Sequence, residues 1–166
     1  MEQEKQKTEE ELAAKIMEYA RDELMISMRF LDRALFRMPL VAADSVAAFG
    51  VDGATMYYNP GYVLHAFKKE KNACTRAFLH MILHCIFSHP FQYEKMDREC
   101  WDLATDLAVE QSILDLNLKC VELERDASLK RTLLHLEQKV PILTAEKIYR
   151  WLYENPEESA EFFQEE

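Results

Sequence analysis

The sequence predicts an α+β fold that is mostly helical, with a small β-hairpin packed beside a central helix that contains two histidines. Three observations lead to this prediction. With 3 Gly and 5 Pro in 166 residues, the chain is poor in the residues that favour tight turns. Long stretches repeat apolar residues at three- and four-residue steps, which is the period of an amphipathic helix. Two short apolar or aromatic segments flank an Asp-Gly pair, which is typical of a hairpin turn.

The first helix is predicted between Thr8 and Pro39. Thr8 is a suitable N-cap because three glutamates follow it in the first turn. Apolar residues then recur at helical spacing from Leu12 to Leu35, and Pro39 ends the pattern. Residues 1–7 are polar, and we expect them to be disordered. The predicted domain therefore begins at residue 8 and extends to residue 155.

The hairpin is predicted from the segments 45–49 and 54–58, which Gly50-Val51-Asp52-Gly53 separates. Glycine favours such a turn because it accepts a positive φ angle. Asn59-Pro60-Gly61 ends the second strand, and a short helix over residues 62–69 follows.

The central helix is predicted over residues 73–88, before Pro90. Its segment 77–87 is uncharged, and its only strongly polar side chains are His80 and His84. At 3.6 residues per turn these histidines lie on one face, one turn apart, which is the spacing that lets two imidazoles share one Zn²⁺. The alternative is that both are hydrogen-bonded residues of the protein core, since each buried ring nitrogen needs a partner.

A further helix is predicted from Arg98, and it carries acids at four-residue steps. Asp102, Asp106 and Glu110 follow one another by one turn each, yet the segment has no cleanly polar face. A carboxylate buried in such a helix needs a cation, a hydrogen-bond donor or a metal. The alternative is a solvated acidic stripe. Residues 116–123 are predicted as a loop or strand, 128–138 and 145–153 as helices, and 156–166 as an acidic tail or the start of a linker.

Composition limits the classes of partner. The formal net charge of −10 argues against nucleic acid or an anionic membrane as the main partner. The charged N-terminal segment does not resemble a secretory signal, and no apolar run reaches transmembrane length. The four cysteines lack a C-x-x-C spacing, which is typical of reduced thiols. We therefore expect a cytoplasmic location.

Three segments together resemble one family. They are DGATMYYNP at residues 52–60, LHMILHCIFSHP at residues 79–90 and WDLATDLAVEQ at residues 101–111. In order and spacing they are similar to a bacterial metallopeptidase-like domain that commonly precedes a von Willebrand factor A-like domain. The resemblance covers about residues 20–155 and implies a zincin-like fold, with the metal-binding helix under a small sheet.

The resemblance also implies roles for single residues. His80 and His84 match the first two zinc ligands of the family, and Asp106 matches an acid that would be the third. Two imidazoles and one carboxylate leave a fourth zinc position for water. His89 would lie at the helix end and support the ligands without binding the metal. We expect the same supporting role for three residues of the next helix: Trp101, Asp102 and Glu110.

The sequence departs from the family pattern at three positions. Met81 stands where the family has its catalytic glutamate, and Asp102 and Glu110 each stand where it has asparagine. In a zincin that glutamate takes the proton from zinc-bound water, and general acid–base catalysis of this kind accelerates reactions by about 10²–10⁴-fold. A thioether cannot accept this proton.

Three functions follow as alternatives. The first, which we favour, is a zinc-binding domain with impaired peptidase chemistry that acts as a regulatory or interaction module. The second is an active zinc hydrolase that uses Glu110 or Asp102 as its base. The third is a metal-free helical scaffold. The expected partner is a protein or peptide. By resemblance, the partners include a von Willebrand factor A-like domain and a MoxR-type AAA+ ATPase. The chain would then be a fragment of a longer protein.

Overall fold

A computed structural model describes residues 2–92, 95–160 and 162. The chain divides into two compact units, of which the first comprises residues 1–90 and 118–123 and the second residues 91–117 and 124–166. Helices predominate, and one three-stranded sheet accompanies them, which confirms the α+β prediction. Among the described residues, no helix combines the length and apolar character needed to cross a membrane.

The first unit is built around a long helix, α1, that contacts two later helices. Its apolar stripe buries Ala13, Met17, Ala20 and Leu24, and it packs on α3 and α4. The helices of this unit are α1 (Glu2–Ser27), α2 (Asp32–Arg37), α3 (Pro60–Lys69) and α4 (Ala73–Ile86), with short 3₁₀ turns at Arg29–Leu31, His89–Phe91 and Lys119–Val121. The turn at His89–Phe91 begins in the first unit and ends in the second.

Two predictions for α1 are wrong. The helix begins at Glu2, so residues 2–7 are helical and not disordered. Thr8 lies inside the helix, where its hydroxyl donates a hydrogen bond to the Glu4 carbonyl at 2.8 Å. The segment before Thr8 is rich in Glu, Gln and Lys, which are good helix formers. The helix also stops well before Pro39, since Met28 leaves helical geometry at φ −133° and ψ 65°.

The sheet contains a hairpin close to the predicted one and one additional strand. The first hairpin strand was predicted over residues 45–49 and is wrong in its bounds, because residues 45–48 are turn and bend and the strand extends into Gly50 and Val51, which were predicted in the turn. Strands β1 (Leu40–Ala42), β2 (Phe49–Val51) and β3 (Met56–Tyr58) lie in the order β1-β3-β2. The β2–β3 pair is antiparallel, and Gly53 has φ 89° in the turn between these strands. Asp52 fixes this turn, because its carboxylate accepts hydrogen bonds from the Ala54 and Thr55 amides at 2.8 and 2.7 Å. β1 pairs parallel with β3, a long-range pairing that the sequence pattern did not predict.

The histidine helix α4 packs inside this unit. It contacts α1, α3 and β2, so the sheet lies beside it as predicted. Phe78, Leu79, Ile82 and Leu83 are buried and anchor the helix. The turn at residues 119–121, predicted as loop or strand, is held against α4 by the Arg76 guanidinium, which donates to the Val121 carbonyl at 3.1 Å.

The described residues of the second unit form helices joined by loops, with no strand. Its helices are α5 (Arg98–Leu116), α6 (Asp126–Lys139), α7 (Ala145–Glu154) and α8 (Pro156–Ser159). α5 packs on α6 and α7, and Asp97 caps it by accepting the Cys100 amide at 3.0 Å. Phe162 is 5% exposed and packs edge-on against Trp151, so part of the predicted acidic tail belongs to the core. The remainder, Glu161 and residues 163–166, lies outside the described residues.

Candidate metal centre

His80 and His84 face each other on α4. Their Nε2 atoms are 2.8 Å apart, and their ring centroids are 4.6 Å apart. Both side chains are half-buried. The apolar residues between them anchor the helix, so the four-residue spacing is sufficient to bring the two imidazoles together.

His89 approaches the pair from beyond the end of α4. The helix ends at Ile86, and Ser88 then adopts the left-handed conformation with φ 61°. This turn places His89 Nδ1 3.3 Å from His84 Nδ1, and the His89 side chain is buried at 6% exposure. His89 therefore lies beside His84, at the ring nitrogen that does not face His80.

Asp106 completes a group that could hold a metal ion. One ligand atom each from His80, His84 and Asp106 lies within 4.8 Å of the others. Within the described part of the chain, this is the one group of three or more His, Cys, Asp or Glu side chains with that property. Asp106 is half-buried on α5, as are the two histidines on α4.

The donor set fits a zinc ion with a small adjustment. Two nitrogen ligands on a tetrahedral Zn²⁺, each about 2.0–2.1 Å from the metal, are about 3.3 Å apart. The 2.8 Å between the imidazoles is about 0.5 Å shorter, which a small rotation of either ring would correct. Imidazole nitrogen and carboxylate oxygen are both zinc ligands. These three residues are therefore chemically suited to one divalent transition-metal ion.

Two other acids of α5 lie beside basic side chains. Glu110 is 7% exposed, and its Oε1 lies 3.4 Å from Nη2 of Arg125. Asp102 is largely exposed and lies 3.7 Å from Nε of Arg98. The buried residues of α5 extend from Trp101 to Ile113 and cover most of its circumference. This favours the buried-helix prediction over a fully solvated acidic stripe.

Two further predicted site residues have different surroundings. Met81 is half-buried on α4 and presents a thioether, which carries no proton-accepting oxygen or nitrogen. Trp101 is 2% exposed in the core of the second unit, where its ring packs edge-on against Tyr149 at a centroid distance of 5.8 Å. Trp101 therefore packs in the core of the second unit.

Two half-buried histidines and an aspartate on a mostly helical scaffold define a domain that could bind one metal ion. A family model described as "Putative metallopeptidase domain" matches residues 13–164, and the chain belongs to this family. No curated protein and no solved structure matches the chain.

Proposed function

We propose that this chain is a zincin-like domain that binds zinc through His80, His84 and Asp106 and has weakened peptidase chemistry. It would then act as a regulatory or interaction module for a protein or peptide. The observation that carries the proposal is the convergence of three ligand atoms within 4.8 Å, in a chain that belongs to a metallopeptidase family.

The ligand set supports zinc over the harder cations. Ca²⁺ and Mg²⁺ prefer oxygen ligands, whereas two imidazoles and one carboxylate suit zinc and leave a position open for water. When bound, zinc would polarise a carbonyl oxygen and lower the pKa of that water.

His89 supports this assignment through the tautomer of His84. For His84 to present the Nε2 lone pair to a metal, its proton must lie on Nδ1. That Nδ1–H can donate to Nδ1 of His89, which is 3.3 Å away, provided that His89 carries its own proton on Nε2. A partner on the second nitrogen of a metal-binding histidine commonly fixes the ring orientation.

The weakened chemistry follows from Met81 and from the surroundings of the α5 acids. Met81 has no group that can take a proton from water. Glu110 would have to give up its Arg125 partner, and exposed Asp102 is paired with Arg98. These pairings favour an impaired site over an active hydrolase that uses either acid as base. By resemblance, the proposed partners remain a von Willebrand factor A-like domain and an AAA+ ATPase in the cytoplasm.

The direct test of the catalytic part restores a glutamate. Met81→Glu and its neutral control Met81→Gln would be loaded with zinc and incubated with fluorescently labelled unfolded casein. We expect Met81→Glu to hydrolyse casein at least about 10²-fold faster than the wild type, because it supplies a general base. Met81→Gln should remain at the wild-type rate.

The outcomes separate the alternatives. A Met81→Glu protein that binds one zinc yet gains no activity would contradict a zincin-like arrangement. Wild-type hydrolysis that Glu110→Gln or Asp102→Asn abolishes would establish the active-hydrolase alternative. Failure of every variant to bind zinc would establish the metal-free scaffold.

A further inference from the structure

The outer face of α2 exposes arginines around an aromatic ring. Arg33, Phe36 and Arg37 occupy positions i, i+3 and i+4, so they lie on one face of the helix. All three are exposed, and the Phe36 side chain is 72% exposed. Leu35 points the other way and is fully buried. We call Arg21, Arg33, Phe36 and Arg37 the arginine face.

An open pocket of about 280 Å³ adjoins this face within the first unit. Phe36, Arg37 and Arg21 contribute to its wall. The other lining residues are mostly apolar: Ala14, Glu18, Met38, Pro39, Leu40 and Tyr58. The pocket therefore combines apolar side chains with the guanidinium groups of Arg21 and Arg37, and its accessible surface is more polar than apolar.

Arg21 retains an unused donor in this region. Its Nη2 donates to the Met38 carbonyl at 3.1 Å, which holds the guanidinium against the segment after α2. Its Nε is buried and has no hydrogen-bond partner in the described structure. Because this Nε is buried, Arg21 contributes a fixed guanidinium to the pocket wall.

The charge of this region is opposite to that of the chain. Segment 29–37 has three arginines and one aspartate, whereas the whole sequence has 30 acidic and 20 basic residues. Within residues 2–92, the Arg33 and Arg37 guanidiniums have no ion pair or hydrogen bond to another side chain. Glu18 is the one acid that lines the pocket.

We propose that the arginine face binds a short acidic segment of a partner protein that carries an aromatic or large aliphatic side chain. The apolar side chain occupies the pocket against Phe36, and flanking carboxylates pair with Arg33 and Arg37. The planar guanidinium fork suits bidentate pairing with a carboxylate. Burial of an exposed phenylalanine supplies apolar contact area, and arginine and aromatic residues commonly dominate binding energy in interfaces. The proposal does not depend on the metal centre.

The test uses a fluorescein-labelled peptide, DEDFEDLEDE, and its copy in which Phe and Leu are replaced by Ser. Fluorescence anisotropy would compare wild type, the double variant Arg33→Glu/Arg37→Glu, and Phe36→Ala. Lys68→Glu/Lys69→Glu is the matched control, because it reverses two adjacent charges at the end of α3. We expect saturable binding that weakens at least tenfold in the first two variants and changes less than twofold in the control.

The remaining outcomes would overturn the proposal. These are no saturable binding by the wild type, equal weakening in the lysine control, or unchanged affinity for the serine peptide. A single-stranded oligonucleotide that binds more tightly than the peptide would indicate a general anion site. A wild-type dimer in sedimentation that Phe36→Ala dissociates would assign the face to a second copy of the chain. Every substituted side chain is on the surface, and Arg21 is left intact. Circular dichroism would verify that each variant folds.

Discussion

The contact between His89 and His84 leads to a quantitative prediction for metal affinity. His89→Phe keeps a ring of similar size but removes the nitrogen that lies 3.3 Å from His84 Nδ1. Loss of a hydrogen-bond partner behind a metal-binding histidine typically lowers affinity by about 10- to 100-fold. This corresponds to about 1.4–2.7 kcal/mol of binding free energy.

The assay is a competition titration against a chromophoric zinc chelator, with two companion variants. His89→Asn should recover most of the affinity, because its side-chain oxygen can accept the His84 Nδ1–H. His65→Ala removes an exposed histidine on α3 and should leave the affinity unchanged. The ¹⁵N chemical shifts of the His84 ring should show an Nδ1–H tautomer in the zinc-loaded wild type and a mixture in His89→Phe.

Zinc binding by His89→Phe within about twofold of the wild type would refute an orienting role for His89. Zinc binding by His89→Asn as weak as that by His89→Phe would refute this role too. The latter result would mean that the ring packs against its neighbours without orienting the ligand. Unfolding of the metal-free variants in urea would separate a loss of affinity from a loss of fold.

Three other predictions concern the fold. The pKa of Asp52 is lowered from 3.8, because its carboxylate accepts hydrogen bonds from backbone amides. The stabilisation that this carboxylate gives the folded state is therefore complete above pH 3.8 and is lost as the pH falls through its lower pKa in the folded protein. Asp52→Asn should therefore reduce the change in urea midpoint between about pH 6 and about pH 2.5; an unchanged difference would contradict this. Burial raises the pKa of Cys74 to about 11, so iodoacetamide should modify Cys120 well before Cys74. Mass spectrometry would measure both rates, and equal rates would be inconsistent with the packing of α4. Ser88→Gly should raise the free energy of unfolding by about 0.5–1 kcal/mol, because glycine adopts φ 61° without strain, and a decrease would contradict the left-handed turn.

Local chemistry explains the features that the sequence predicted well. The His80–His84 contact follows from helical spacing in an apolar run, because residues four apart lie on one face of a helix. The β2–β3 turn follows from Asp52 and Gly53. The Asp52 side chain accepts a hydrogen bond from a backbone amide three residues later, and Gly53 adopts the positive φ angle, so both effects are local. The family resemblance, and not the spacing, identified Asp106.

Long-range contacts explain what the sequence did not predict. β1 needs β3 as its partner, and their paired residues Leu40 and Met56 are far apart in the sequence. Glu110 meets Arg125 only because α5 and the start of α6 fold together, so its partner had no sequence signal. The extension of α1 to Glu2 was missed because Thr8 has the composition of an N-cap but lies within a continuous helix.

The central claim is that His80, His84 and Asp106 together bind a metal ion. Its most direct test is zinc stoichiometry by mass spectrometry on protein purified without a histidine tag, after incubation with zinc and removal of excess ion. We predict about one zinc per chain for the wild type and for the control His65→Ala, and a large loss for His84→Ala and Asp106→Asn. No zinc in the wild type, or full stoichiometry in both ligand variants, would contradict the account.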